Sequence, residues 1–469
     1  MKTVYLLFVL VISTFSFGQG IELKLANAMK GLENDPQFKH AIISLYVVDS
    51  KTGKTIYDKN AQLGLAPASC QKVITSVSAF DILGKTYKYK TEMAYDGTIT
   101  DSTLNGNLFF MSSGDPTLGS WRWSATGEEN IRQQILSALK EKKITAIKGD
   151  IIVDDSKWES QSTPRGWIWE DIGNYFGAGA RGMNWHENQY DIILKPGKKT
   201  GDPVTVMATM PPLQQAVLIN ELKTGPVGSG DRSIIYLPED ATAGYIRGTI
   251  PVGKENFTIS GAMPNATKSF IKAVEELLDS NHIKLSGRPK TSASILANKE
   301  KLRIPTTTAL TIFSPSLDSM NYWFLRESIN LYGEALVKTI ALEKTKFAAT
   351  DTGLTIIKDL WSSRGIDRSA LNIIDGCGLS PANRVTTNAL VTVMQYARQQ
   401  SWFSSFYNAL PEMNGMKMKS GYIGGVRSYT GYIKSKTGVD YTFSIIVNNF
   451  DGAPGTVREK MWKLLDILK

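Results

Sequence analysis

Ser69 and Lys72 stand three residues apart at the head of an apolar run that ends at Gly84. On a helix, positions three apart share a face. A serine hydroxyl beside a lysine amine in a first helical turn is one way to make serine nucleophilic without histidine. The amine must be neutral to take the proton, and burial beside a second cation such as Lys419 favours that form. The Ser-x-x-Lys spelling alone is weak, and it recurs at Ser137–Lys140 and Ser269–Lys272. Both of those read as mid-helix positions on solvated faces. Only Ser69 opens a helix with an apolar body, behind Pro67.

Two further stretches could complete such a site. Ser328-Ile329-Asn330 sets a hydroxyl and an amide two apart, which a regular helix would splay onto different faces. A turn between two helices would let both reach one place. Ser319-Met320-Asn321 has the same spelling, and the helix-like Leu-Tyr-Gly-Glu-Ala-Leu after Asn330 favours the later copy. Lys419-Ser420-Gly421 offers a cation for a carboxylate, a hydroxyl donor and a glycine against which a substrate backbone can lie. Its rival, Lys436-Thr437-Gly438, falls in a turn between two alternating strands, where those residues need no functional account.

Composition narrows the chemistry. The 469 residues are 42% hydrophobic and 21% charged, an ordinary globular balance with length for two or three domains. The three histidines, His40, His186 and His282, have no zinc-ligand spacing and form no His-Glu-x-x-His motif. No Gly-x-Ser-x-Gly elbow presents a serine either. Lysine is therefore the favoured base, and no metal or organic cofactor is expected. The formal net charge of +9 suits an anionic setting such as a cell-wall polymer or a membrane surface. It is spread along the chain without a basic block, which argues against nucleic acid.

Residues 1–18 read as a secretory signal, with Lys2, an apolar core from Val4 to Phe17 and a small-residue exit at Ser16-Phe17-Gly18. The core is short for a membrane span. The expected location is the periplasm or cell envelope. Cys70 and Cys377 are too few for a disulfide scaffold and read as separate buried thiols.

The elements that must position these residues follow in order. Ile21–Leu32 reads as an amphipathic helix, and Ala41–Val48 with Thr55–Tyr57 as a hairpin ahead of the Ser69 helix. From about Tyr87 the texture is short strands and Gly/Asn/Asp turns. From Ser314 it is helical again, with Pro315–Thr339 as a long helical region, and it closes with two strands and a helix over Val457–Leu468. The fold class is α+β: a split domain of antiparallel sheet and helices, residues 19–86 and 303–469, holding a β-rich insert, residues 87–302. The insert reads as two subdomains, about 87–194 with 263–302, and 195–262.

In this order, S-x-x-K, S-x-N and K-[ST]-G mark the penicillin-recognising serine acyl-enzymes. The chain resembles the D-alanyl-D-alanine carboxypeptidase/endopeptidase family of class C low-molecular-mass penicillin-binding proteins, the DacB-like type. The resemblance runs through nearly the whole mature chain. It rests on Pro67–Lys72, Ser113–Leu118, Val153–Ser156, Trp167–Asp171, Glu187–Gln189, Ser328–Asn330, Asp375–Ser380 and Lys419–Gly421. The large insert is itself typical of the family. Cys70, Ile329, Cys377 and Pro381 depart from the family's usual residues.

The resemblance implies Ser69 as nucleophile and Lys72 as base. Ser328 would relay a proton to the leaving amine, and Asn330 would hold the acyl side chain. Lys419 with Ser420 would grip the terminal carboxylate, while the amides of Ser69 and Tyr422 would receive the oxyanion. Asp171 would hold the amine of a diamino-acid side chain; the alternative for that stretch is a structural Trp-rich β corner. The implied substrate is a peptidoglycan stem peptide, with β-lactams as covalent inhibitors. Two other readings share the residues: a β-lactamase or esterase with the same nucleophile, and a non-catalytic wall-binding protein on the same scaffold.

Overall fold

The computed structural model describes residues 20–214, 216–253 and 255–469, so the signal reading of residues 1–18 lies outside the described residues. The described chain divides into two compact units. One comprises the residues up to Ile82 with Asn321–Ser328 and Leu354–Lys469; the other comprises Leu83–Met320 and Ile329–Gly353.

The first unit is built on one antiparallel sheet. The expected hairpin forms as β1 (Ile42–Asp49) and β2 (Thr55–Lys59), and Asp49 holds its turn by accepting from the amides of Lys51 and Thr52 at 3.0 and 2.7 Å. Near the other end of the chain, β3 (Met416–Ile423), β4 (Val426–Lys434) and β5 (Asp440–Asn448) follow one another as a meander. The order is β2-β1-β5-β4-β3, with Glu412–Met413 at the far edge. The sheet therefore closes by pairing its first and last strands, Ile42 opposite Asn448.

Period-two alternation sorts the side chains of this sheet. On one face Phe443, Ile445 and Val447 of β5 join Leu45 and Val47 of β1. They pack with Leu25 and Met29 of α1 (residues 20–33) and with Val457, Met461 and Leu465 of the closing helix. The other face carries hydroxyls that are paired rather than stranded. Ser44 bonds Thr387 at 2.6 Å, Thr430 bonds Ser444 at 2.8 Å, and Thr442 donates to Gln395 at 2.7 Å.

On α2 (Lys72–Leu83) every residue from Lys72 to Phe80 is buried, as its all-round apolar sequence requires. Its few polar side chains are tied off. Ser76 donates to Asn321 at 2.6 Å, Ser78 accepts from the Trp361 indole at 2.8 Å, and Thr75 donates to the Gly376 carbonyl at 2.6 Å. Gly84 follows at φ +83°, the left-handed cap that a residue without Cβ supplies.

Two cores stand out among the described residues of the second unit. A five-stranded sheet carries Phe110 and Val153, which pack against Ile131 and Ile135 of helix Glu128–Glu141 and Phe270 and Val274 of helix Ala266–Ser280. A smaller core gathers Tyr190, Ile192, Leu194, Ile246 and Ile259 from two small sheets. The long helical region expected from Pro315 is broken in two. Leu317–Arg326 ends, Ser328 turns left-handed at φ 59°, and α3 (Asn330–Thr345) begins. Lys338 of α3 is buried within the second unit, donating to the carbonyls of Gln161 and Ala180 at 2.6 and 2.9 Å and pairing with Glu159 at 3.2 Å.

Candidate active site

Ser69 does not sit in the α-helix proper. A 3-10 turn, Ala68–Gln71, precedes α2, and the helix starts at Lys72. Side chains three apart eclipse in a 3-10 turn more closely than in an α-helix. Lys72 Nζ lies 2.9 Å from Ser69 Oγ and donates to the Cys377 carbonyl at 2.8 Å. Ala68, just before the serine, is held at φ 46°, a left-handed conformation that costs an alanine energy. Fixed neighbours on both sides sustain it.

One neighbour is β3. A Cβ on Gly421 would meet the Pro67 carbonyl at 2.6 Å and the Ser69 amide at 2.9 Å, so only glycine lets the strand run this close to the serine turn. Ser428, opposite Gly421 on β4, donates to the same Pro67 carbonyl at 2.6 Å. The Cys70 thiol donates to the Lys419 carbonyl at 3.2 Å, and burial raises its pKa, so it stays protonated. The Lys419-Ser420-Gly421 segment is thereby fixed alongside Ser69 and Lys72. Lys419 is buried and donates to the Ser420 carbonyl at 2.9 Å. Burial, and then the charge of Lys72, lower the Lys419 amine to about 7. Tyr422 is half-exposed, with Arg427 stacked 5.4 Å over its ring.

The other neighbour is the loop Asp375–Ser380. Asp375 is fully buried and acts as its hub. It accepts from the amides of Gly378 and Ser380, both at 2.7 Å, and from Gln71 and Asn383 side chains at 2.9 and 3.0 Å. This loop delivers the Cys377 carbonyl to Lys72. Nothing in the spelling of this stretch assigns Asp375, Cys377 or Gln71 a role. A Gly-x-Gly loop behind a buried acid was the available clue, but its partner in space lies about 300 residues away along the chain. Both cysteines are free and buried, as expected.

Ser328 occupies the left-handed turn between two helices, the geometry its spelling called for. The rival Ser319 and Asn321 lie inside helix Leu317–Arg326. There Ser319 accepts from the Trp123 indole at 2.9 Å and Asn321 from Ser76, so both have structural partners. The rival Lys436-Thr437-Gly438 lies in the β4–β5 turn, with Gly438 at φ +85°.

Asn330 and Asp171 belong to the second unit, which brings them into one neighbourhood. Asn330 opens α3 and donates to the Phe176 carbonyl at 2.7 Å. Phe176 lies in the turn Tyr175–Gly177, where Gly177 has no room for a Cβ against the Asp171 carbonyl. Asp171 itself sits on a short helix, Trp169–Ile172, rather than in a β corner. Burial, with Glu170 adding to it, raises its carboxyl to about 6.

Comparison with known proteins gives a consistent set of relatives. The model of the D-Ala-D-Ala carboxypeptidase 3 (S13) family matches residues 25–467. A D-alanyl-D-alanine carboxypeptidase from an Actinomadura species (strain R39) is 25% identical over 93% of this chain and 83% of its own length. The D-alanyl-D-alanine carboxypeptidase DacB of Haemophilus influenzae is 24% identical over 73% of this chain and 68% of its own. The crystal structure of penicillin binding protein 4 (dacB) from Haemophilus influenzae superposes with a TM-score of 0.79 at 19% identity, covering 95% of this chain and 99% of that one. A second structure of that protein, complexed with a β-lactam, gives 0.72 at 18% identity over 91% and 95%. The likeness bears out the expected α+β fold.

Proposed function

This chain belongs to the D-Ala-D-Ala carboxypeptidase 3 (S13) family, and from that premise we propose how its residues carry the reaction. It is a serine-type D-Ala-D-Ala carboxypeptidase acting on peptidoglycan stem peptides, and it binds β-lactams. The observation that carries the residue assignment is the Lys72 amine 2.9 Å from Ser69 Oγ, with the Lys419–Gly421 strand alongside.

Ser69 Oγ attacks the carbonyl carbon between the two D-alanines, and its proton passes to Lys72. The backbone amides of Ser69 and Tyr422 receive the oxyanion; one such donor is worth about 3–4 kcal/mol in a well-studied serine enzyme. The C–N bond breaks as Ser328 relays the proton held by Lys72 to the leaving amine, its own hydroxyl proton being replaced from Lys72, and D-alanine departs. Water then cleaves the Ser69 ester. Lys419 and Ser420 hold the substrate carboxylate, and Asn330 holds the acyl side chain. Asp171 takes the free amine of the stem's diamino acid. The acyl chemistry belongs to segments 19–86 and 303–469, with 87–302 as the inserted part. Residues 1–18 direct export to the periplasm or cell envelope. No helix among the described residues is long and apolar enough to cross a membrane.

Labelling with a fluorescent penicillin, followed by mass mapping of the adduct, tests the assignment. The label should sit on the Ser69 peptide and vanish in Ser69→Ala. Equal labelling of that variant rejects Ser69 as the nucleophile. Rapid release of the penicilloyl group would instead favour the β-lactamase reading.

A further inference from the structure

A cleft of about 870 Å³ opens on the second unit, at the upper end of the range for small-molecule sites. None of its lining residues has a part in the acyl chemistry. Trp121 lines it with more than half of its surface exposed, and Arg122 stacks 5.4 Å over the ring and steadies it. Trp185 is buried at the cleft wall, edge-on to His186. His186 bonds Glu128 at 2.7 Å, and Gln189 adds an amide.

The backbone that presents these groups is unusual. His186, Glu187 and Asn188 are consecutive non-glycine residues at φ 54°, 51° and 52°. Such strain persists only where the surroundings over-determine it. Asn188 provides part of that hold, accepting from the Trp185 amide at 3.0 Å and donating to the Gly179 carbonyl at 2.8 Å and the Asn184 side chain at 2.7 Å. Glu187 turns inward to Ser120, Arg122 and the Tyr332 hydroxyl, at 2.7, 2.8 and 2.8 Å. Trp185, His186 and Gln189 are left lining the cleft.

Each lysine lining the cleft has an acidic partner, Lys268 in Asp240 at 4.0 Å. Lys272 pairs with Glu276 at 3.9 Å and Lys290 with Asp150 at 2.9 Å. An anionic ligand finds little uncompensated charge here. An exposed indole face, negative at its centre, suits the C–H face of a sugar ring. Planar amide, carboxylate and imidazole groups suit its hydroxyls and an acetamido group. We propose that this cleft binds the N-acetylated amino-sugar backbone of the wall polymer whose stem peptides the first unit cleaves. The proposal rests on the peptidase reading for its polymer and on the cleft alone for its chemistry.

The test is a tryptophan-fluorescence titration of the full mature chain with chitotetraose, peptide-free wall glycan strands and cellotetraose. Chitotetraose and the wall strands should give a saturable change, and cellotetraose, which lacks acetamido groups, should bind at least about tenfold more weakly. Trp121→Ala and Gln189→Ala should each weaken chitotetraose binding, the first by about tenfold or more. Trp121→Ala should also cleave intact sacculi several-fold more slowly while retaining its rate on a soluble D-Ala-D-Ala tripeptide. A far-UV circular dichroism spectrum and thermal transitions unchanged from the wild type report that each variant is folded in both units. No saturable change, equal binding of cellotetraose, or unaltered binding by both variants overturns the proposal. A wild-type protein that binds glycan but takes no penicillin would sink the peptidase reading and leave the cleft standing.

Discussion

In the proposed reaction Lys419 is the residue that offers its charge to the substrate carboxylate. Its amine, lowered to about 7 by burial and by Lys72, is mostly protonated below that pH and loses about a factor of ten in charged fraction per unit above it. Acylation by benzylpenicillin, whose carboxylate needs the cation, should therefore decline as pH rises through about 7. Lys419→Arg keeps a permanent charge and should flatten that alkaline limb, whatever it does to the absolute rate. Identical limbs in the two proteins would remove Lys419 from carboxylate recognition. Asp171 has the opposite sense. Raised to about 6, it is ionised above that pH, so preference for an amine-bearing stem peptide should fade as pH falls below it. Asp171→Ala should slow such peptides more than a generic thioester; equal losses on both argue against the amine role. At this scale the nearness of Ser69, Lys72 and the Lys419 strand was legible because their types and order suffice. Asp375 was not, because a buried acid reads as any other acid until the donors around it are seen.

Among the elements, the contact of β3 with the serine turn is one that only glycine permits. Gly421→Ala would drive a methyl into the Pro67 carbonyl and the Ser69 amide, and overpacking of this kind costs about 1–3 kcal/mol. Its penicillin acylation should fall far more than its thermal stability. A variant with normal acylation would mean that the strand can move without consequence. Asp375→Ala strands several buried donors at once, each costing about 1–3 kcal/mol, so calorimetry should show a markedly lowered melting temperature with acylation lost. The strands, α1 and α2 were readable from alternation and helical periodicity. The 3-10 turn at Ser69 was not, since propensity does not separate it from a first α-helical turn. Nor was the short helix at Trp169–Ile172, whose four residues carry no period.

Across the whole molecule, two units with cores of their own make two-state unfolding a poor expectation. Calorimetry should give a van't Hoff enthalpy well below the calorimetric one, and penicillin acylation should raise the transition of the first unit alone. A single transition with equal enthalpies would contradict this. Composition and spacing could announce an interrupted domain, but where each crossing falls depends on packing: the short piece Asn321–Ser328 belongs with the first unit and the helix that follows it with the second. The sheet's closure has a further consequence. Because Ile42 pairs with Asn448, about 400 residues further along the chain, β1 must wait for β5 to be made before it finds this partner. A chain stopped ahead of β3 likewise lacks the strand that lies against the Ser69 turn. Truncation ahead of that strand should therefore leave a protein that no longer takes penicillin.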